Sequence, residues 1–223
     1  MIQSILKNIK KQSYFFLIYA AFLFFLVFIL FKFSKTDATL WANQFWSPFQ
    51  DVLYKYMTIL GDFGMAIIVV LALLLWKFKY AVVAIISFGI TAGITQFLKK
   101  IIYFDVKRPL YNEDLWGVYR AGKIHLVEGV QQMSAYSFPS GHTTSAFSIF
   151  CIIALLSKNK WVGFICIVFA ILIGYSRIYL CQHFFEDIFV GALIGAIGSL
   201  LIYSFFENKT FGSWGEKSLL KLK

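Results

Sequence analysis

Charged residues, histidine, arginine and cysteine are all scarce in this chain, and each scarcity excludes something. Only 14% of the 223 residues are charged and three are histidine. The arginines are Arg108, Arg120 and Arg177. Cys151, Cys166 and Cys181 show no CxxC spacing, so neither a zinc site nor a disulfide framework is implied, and they read as small apolar fillers. No carboxylate or histidine cluster has metal-ligand spacing; no metal and no cofactor is expected. No small-residue cleavage pattern follows the first apolar run, which predicts an uncleaved helix rather than a removable signal. Internal repeats and low-complexity segments are lacking too.

What is abundant is apolar surface. With 60% hydrophobic residues, 26 phenylalanines and a mean hydropathy of +0.74, the chain carries more than a soluble domain can bury. The expectation is an all-α polytopic membrane protein with six transmembrane helices in a bundle and an interfacial amphipathic helix. Apolar runs fall at about 13–33, 58–76, 81–98, 143–157, 161–176 and 184–206, against the roughly 20 residues a crossing requires. The fourth and fifth are short, so they extend into flanking polar residues or pack inside the bundle. One domain is expected over 1–223, with its motif-bearing core at about 99–187.

A formal net charge of +10 would suggest nucleic acid in a soluble protein, but its distribution argues against such a partner. Lys7, Lys10 and Lys11 precede the first run, Lys77 and Lys79 join the second to the third, and Lys158 and Lys160 join the fourth to the fifth. Lys209, Lys217, Lys221 and Lys223 follow the sixth. The positive-inside rule assigns all of these to the cytoplasm, with both termini. Segments 34–57, 99–142 and 177–183 then emerge on the opposite face. Cations there run against the rule, so Lys99, Lys100, Arg108 and Arg177 are expected to serve an anion, whereas Lys35, Lys55 and Lys123 read as headgroup contacts. The many Phe, Ile and Lys residues hint at a bacterial source and hence the inner membrane, with the site facing the periplasm.

Between the first two runs, Leu40, Trp41, Phe45, Trp46, Phe49, Leu53 and Tyr56 recur at helical spacing and predict an amphipathic helix at the membrane surface. Asp62, in Leu60-Gly61-Asp62-Phe63-Gly64, reads either as a functional acid or as a helix-start cap, and stays outside the catalytic set. The longest polar stretch, 103–138, is expected to be a lid or recognition loop beside the site, and the outer-face elements are 34–57 and 103–140. His125 lacks a partner at ligand spacing and reads as a surface residue.

Three clusters carry the chemistry. Pro139-Ser140-Gly141-His142 stands just before an apolar run, placing unpaired amides and the positive end of a helix beside Ser140 and His142. Arg177 ends the fifth run and His183 opens the sixth; six residues turn a side chain by roughly 240°, so only a tight reversal brings the two together. His183 and Asp187 lie four residues apart and are expected to share a helix face, letting the carboxylate hold one imidazole nitrogen and free the other.

Arg108-Pro109, Pro139-Ser140-Gly141-His142 and Ser176-Arg177-x5-His183-x3-Asp187 closely resemble the three signatures of the type-2 phosphatidic acid phosphatase superfamily, which also includes vanadium haloperoxidases. The family's first signature has a lysine separated by six residues from Arg-Pro; here Lys100 is separated by seven and Lys99 by eight, and Lys100 is preferred. The resemblance implies a metal-independent lipid phosphatase. His183 would be the nucleophile forming a phosphohistidine, Asp187 would orient it, and His142 would act as acid and then base. Lys100 or Lys99, Arg108, Ser140, Gly141 and Arg177 would hold the phosphate oxygens. The implied partners are the bilayer and a membrane lipid phosphate, with no obligate protein partner. Lipid A is weakly favoured as substrate, because Arg120 and Lys123 in the polar stretch suit a large sugar-phosphate headgroup. Undecaprenyl pyrophosphate comes next, and phosphatidylglycerophosphate or phosphatidate after it. A vanadium haloperoxidase and a non-catalytic lipid transporter are the competitors.

Overall fold

The computed structural model describes residues 1–221, so Lys223, assigned above to the cytoplasmic face, lies outside the described residues. The chain is helical, and no strand occurs among the described residues. Helix α1 (Ile2–Lys11) leads through Gln12 into α2 (Ser13–Lys32), followed by the short α3 (Lys35–Asn43) and α4 (Pro48–Met57). A 3₁₀ turn at Thr58–Gly61 precedes α5 (Phe63–Trp76), and α6 (Phe78–Phe97) runs on into a π-helical turn, Leu98–Ile102. Helix α7 (Glu113–Arg120) lies in the polar stretch, and α8 (Gly141–Leu156), α9 (Lys160–Tyr179) and α10 (Phe185–Phe206) complete the bundle before the one-turn α11 (Gly212–Gly215).

Four helical segments are long and apolar enough to cross a membrane: Ser13–Lys32, Phe78–Ile102, Lys160–Tyr179 and Phe185–Phe206. A fifth is formed if Pro48–Gly61 and Phe63–Trp76, bent by 57°, count as one span. Helix α8 has only 16 residues. It is also the most enclosed, packing against α6, α9 and α10, with Phe147, Ile149, Ile152 and Leu155 fully buried. Glycines bring α10 onto it: a Cβ at Gly195 would fall 2.5 Å from the Thr144 carbonyl oxygen, and one at Gly191 would fall 2.8 Å from that of Ser140. Small residues four apart allow this backbone approach in an apolar medium. Buried hydroxyls cross-link the same core, Ser148 to Ser199 at 2.7 Å, Ser87 to Ser199 at 2.8 Å and Thr95 to Thr144 at 3.0 Å.

The chain ends meet at one end of the bundle. The Asn8 amide donates to Glu207 at 2.7 Å and Lys7 pairs with the same carboxylate at 2.6 Å. The Gln12 amide caps the end of α8 by donating to the Ser157 carbonyl at 2.8 Å. The polar clusters lie at the other end of α10, whose 22 residues separate the two ends by about 33 Å.

Four expectations are corrected. The single amphipathic helix is two helices, because Ser47 accepts the Gln50 amide and Pro48 occupies the first position of α4, a start signal inside the aromatic stretch. The run at 58–76 breaks at Asp62, where a 3₁₀ turn over Thr58–Gly61 ends and the backbone becomes extended before α5. The polar stretch is partly helical, since Asn112 caps α7 by accepting the Asp114 amide. Lys35 and Lys55 are engaged within the protein rather than free for headgroups: Lys35 pairs with Glu186, and Lys55 donates to the Glu128 carbonyl at 2.8 Å.

Candidate active site

Helix α9 ends in a reversal that sets two functional residues side by side. Cys181 adopts φ +53°, and the amides of Gln182 and His183 both return to the Arg177 carbonyl, at 2.9 and 3.2 Å. His183 then donates or accepts through Nδ1 at 2.9 Å from Asp187 Oδ2. The pairing differs from the expected helix face. His183 stands before α10, while Asp187 sits in its first turn and accepts the Phe184 amide at 3.0 Å. The carboxylate thus starts the helix and holds the imidazole together. Ser137 donates to the same oxygen at 2.5 Å, a partner with no motif to announce it.

Around this pair lie three buried cations, Lys99, Arg108 and Arg177, each 6–8% exposed, whereas Asp187 is the only buried carboxylate among the described residues. Arg108 is anchored by its Nε on the Ala135 carbonyl at 3.1 Å and by Nη1 on the Gln182 side chain at 2.9 Å. Arg177 donates to Thr58 and reaches Gln182 at 3.4 Å, while its Nε is buried with no partner among the described residues. Three buried positive charges against one negative charge, with a donor left over, describe a pocket that lacks an anion. Burial first, then the charges of Arg108, Arg177 and Lys99, hold the His183 imidazole well below its usual 6.5. Its ring is neutral at pH 7 and, with Nδ1 held, its Nε2 can act as a nucleophile.

The structure places the two lysines differently. Lys99 is 8% exposed and interacts electrostatically with Arg108, Asp187 and Arg177, whereas Lys100 is exposed. Lys99 continues the inward stripe of Ser87, Thr91 and Thr95, all buried at four-residue intervals. That stripe was the available sequence signal. The π turn over Leu98–Ile102 adds a residue to the helical turn, so spacing counted back from Arg108 does not identify the inward lysine.

Ser140 caps α8, accepting the Thr143 amide at 3.3 Å and the Thr143 hydroxyl at 2.8 Å. A hydroxyl accepting two bonds still has its own proton to donate. Gly141 follows at the free end of the helix, and a Cβ there would meet nothing within 4 Å. His142 comes next, with Nε2 2.6 Å from Asp62 Oδ1. Of the two readings of Asp62, functional acid or helix-start cap, the structure removes the capping bond, since its side chain caps nothing, and the His142 pairing holds its carboxyl below the usual 3.8. Gln182 and Thr58, which support the two arginines, were missed.

His125 is not a free surface residue. Its Nε2 meets Asp51 at 2.9 Å, its ring stacks on Trp46 at 4.0 Å, and Asn43 brackets its backbone with two 2.8 Å bonds. It locks α3 and α4 to the polar stretch. The three cysteines are free and buried. No group of three or more His, Cys, Asp or Glu side chains among the described residues could hold a metal.

The site thus joins a neutral buried imidazole, a second histidine paired with a carboxylate, and three buried cations. Residues 76–211 match the PAP2 superfamily. The undecaprenyl-diphosphatase BcrC of Bacillus subtilis is 27% identical over 72% of this chain and 79% of its own length. A lipid A 4'-phosphatase of Bacteroides thetaiotaomicron is 29% identical over 37% of this chain, and there the chain spans 36% of the relative. Among solved structures, that of Aquifex aeolicus LpxE superposes with a TM-score of 0.64 at 26% identity, covering 77% of this chain and 96% of that one. The chain belongs to the PAP2 superfamily, a family of phosphoric ester hydrolases.

Proposed function

We propose that the protein is a metal-independent lipid phosphatase of a bacterial inner membrane, with six crossings, both termini cytoplasmic and the site facing the periplasm. The observation that carries this reading is the excess of buried positive charge around a neutral, carboxylate-held imidazole. In the first step His183 Nε2 bonds to phosphorus while the bond to the lipid oxygen breaks and His142 gives that oxygen a proton. In the second, water loses a proton to His142 and attacks phosphorus, the P–N bond breaks, and phosphate leaves. Lys99, Arg108, Arg177, Ser140 and the Gly141 amide stabilise the equatorial oxygens throughout.

A groove of about 360 Å³ supports a lipid substrate. It runs between α5, α6 and α8 and begins beside the site, since Phe63 follows Asp62 and Ser145 is one turn beyond His142. Its apolar lining suits a hydrocarbon chain while the phosphate meets the cations. For the headgroup, the exposed Arg120 and Lys123 of the polar stretch suit the sugar-phosphate of lipid A. The similarity to an undecaprenyl-diphosphatase over 72% of the chain favours undecaprenyl pyrophosphate as a second reading. Phosphate release by the purified protein in EDTA, across lipid A, undecaprenyl pyrophosphate, phosphatidylglycerophosphate and phosphatidate, tests both. The expected result is turnover of lipid A or undecaprenyl pyrophosphate that disappears in His183→Ala; equal release by that variant would refute the nucleophile.

A further inference from the structure

We propose that Asp62 is the positioning residue of His142, forming a second histidine–carboxylate pair that controls the proton of the leaving oxygen. The proposal rests on the phosphatase reading above. Asp62 Oδ1 lies 2.6 Å from His142 Nε2. Its place just before α5 lets the helix dipole favour an acid there, yet its side chain accepts no capping bond and is turned instead to His142.

The contact is built into the backbone at Gly61. A Cβ there would fall 2.7 Å from Ile173 Cγ2 and 3.0 Å from the His142 carbonyl oxygen. Only a hydrogen allows the turn at Thr58–Gly61 to lie directly on the first turn of α8. The same turn carries Thr58, the acceptor for Arg177. One short segment therefore serves a phosphate-pocket arginine and the acid-base histidine together. The charged groups that act on His142 are Asp62, Arg177 and Arg108, and Asp62 is the only anion of the three.

A carboxylate on Nε2–H assigns proton exchange to Nδ1, the logic by which a buried aspartate orients a catalytic histidine. In the first step Nδ1–H passes its proton to the lipid oxygen as the P–O bond breaks, leaving a neutral ring whose Nε2–H stays on Asp62. In the second step Nδ1 takes a proton from the attacking water and the imidazolium is restored. Burial, with Arg177 and Arg108, holds the His142 imidazole below its usual 6.5, and the adjacent Asp62 anion opposes that shift and favours the charged starting form.

The test compares Asp62→Asn, Asp62→Glu, His142→Ala and the Asp62→Asn/His142→Ala double variant of the full chain in detergent. Two properties are followed: the pH profile of phosphate release from lipid A and undecaprenyl pyrophosphate, and the titration of His142 by nitrogen-15 NMR. For Asp62→Asn, kcat is expected to fall about 10- to 100-fold with KM unchanged. The descending limb of its profile and the His142 midpoint should both move about one pH unit lower. Asp62→Glu should recover most of the rate, and the double variant should be no slower than His142→Ala. An unmoved midpoint and profile, a loss confined to KM, or a double variant slower than His142→Ala would overturn the proposal. A wild-type chain silent on these two lipids and on phosphatidylglycerophosphate and phosphatidate, with the NMR midpoint still shifted by Asp62→Asn, would retain the pairing and reject the phosphatase reading.

Discussion

The two histidine–carboxylate pairs use the same side chains in opposite surroundings. His183 and Asp187 are 2.9 Å apart with side-chain exposures of 1% and 0%, whereas His142 and Asp62 are 2.6 Å apart with exposures of 31% and 50%. The enclosed pair sits among cations and carries a neutral ring with a fixed tautomer, which suits attack on phosphorus. The open pair can exchange protons with a leaving group and with water. Environment, more than residue type, assigns the two roles.

Removing the enclosed carboxylate should have the larger effect. Asp187→Asn is expected to lower kcat about 10³- to 10⁴-fold, because the amide can present the wrong hydrogen-bonding partner to Nδ1. Steady-state phosphate release measures it beside Asp62→Asn; a smaller loss in Asp187→Asn than in Asp62→Asn would invert the comparison. Next come the cations: Arg177→Ala and Lys99→Ala should each cost about 10²- to 10³-fold. Lys100→Ala should stay close to wild type, its side chain being exposed. Equal losses in the two lysine variants would contradict the assignment of the inward residue.

The smallest effect is on pH dependence. His183 is held well below 6.5 in the folded chain, so the unfolded chain binds that proton at higher pH than the folded one. Stability then rises with pH through the window below about 6.5 and is lost as the pH falls into it. Thermal unfolding in detergent at pH 7 and pH 5, compared between the wild type and His183→Gln, isolates this contribution: any loss of midpoint on going to pH 5 should be smaller in the variant. The acid limb of turnover should likewise lie below 6.5; a limb above that value would show that the nucleophile titrates as an ordinary imidazole.

The same contrast explains what was legible in the sequence. The run at 13–33 became Ser13–Lys32 and that at 184–206 became Phe185–Phe206, because a bilayer-length apolar stretch is a local signal. His183 and Asp187, four residues apart, were readable for the same reason, although the contact forms at a helix start rather than along a face. The short fourth run became α8, whose burial on every side removes any need for bilayer length. Asp62 with His142, and Asp51 with His125, pair across distant parts of the chain, and neither residue carries its partner in its flanking sequence. Ser47-Pro48 was legible turn chemistry masked by aromatics spaced as if for one helix. Which of Lys99 and Lys100 faces inward was not legible from motif spacing, because a π turn changes the register between a motif and the helix that carries it.

The most direct test of the account is to find the phosphoryl group on the enzyme. Wild-type protein mixed with lipid substrate, quenched in alkali within the first turnovers and examined by mass spectrometry should carry one phosphoryl group on His183, and His183→Ala should carry none. A phosphoryl group on another residue, or undiminished turnover in His183→Ala, would contradict the assignment of the enclosed histidine as nucleophile.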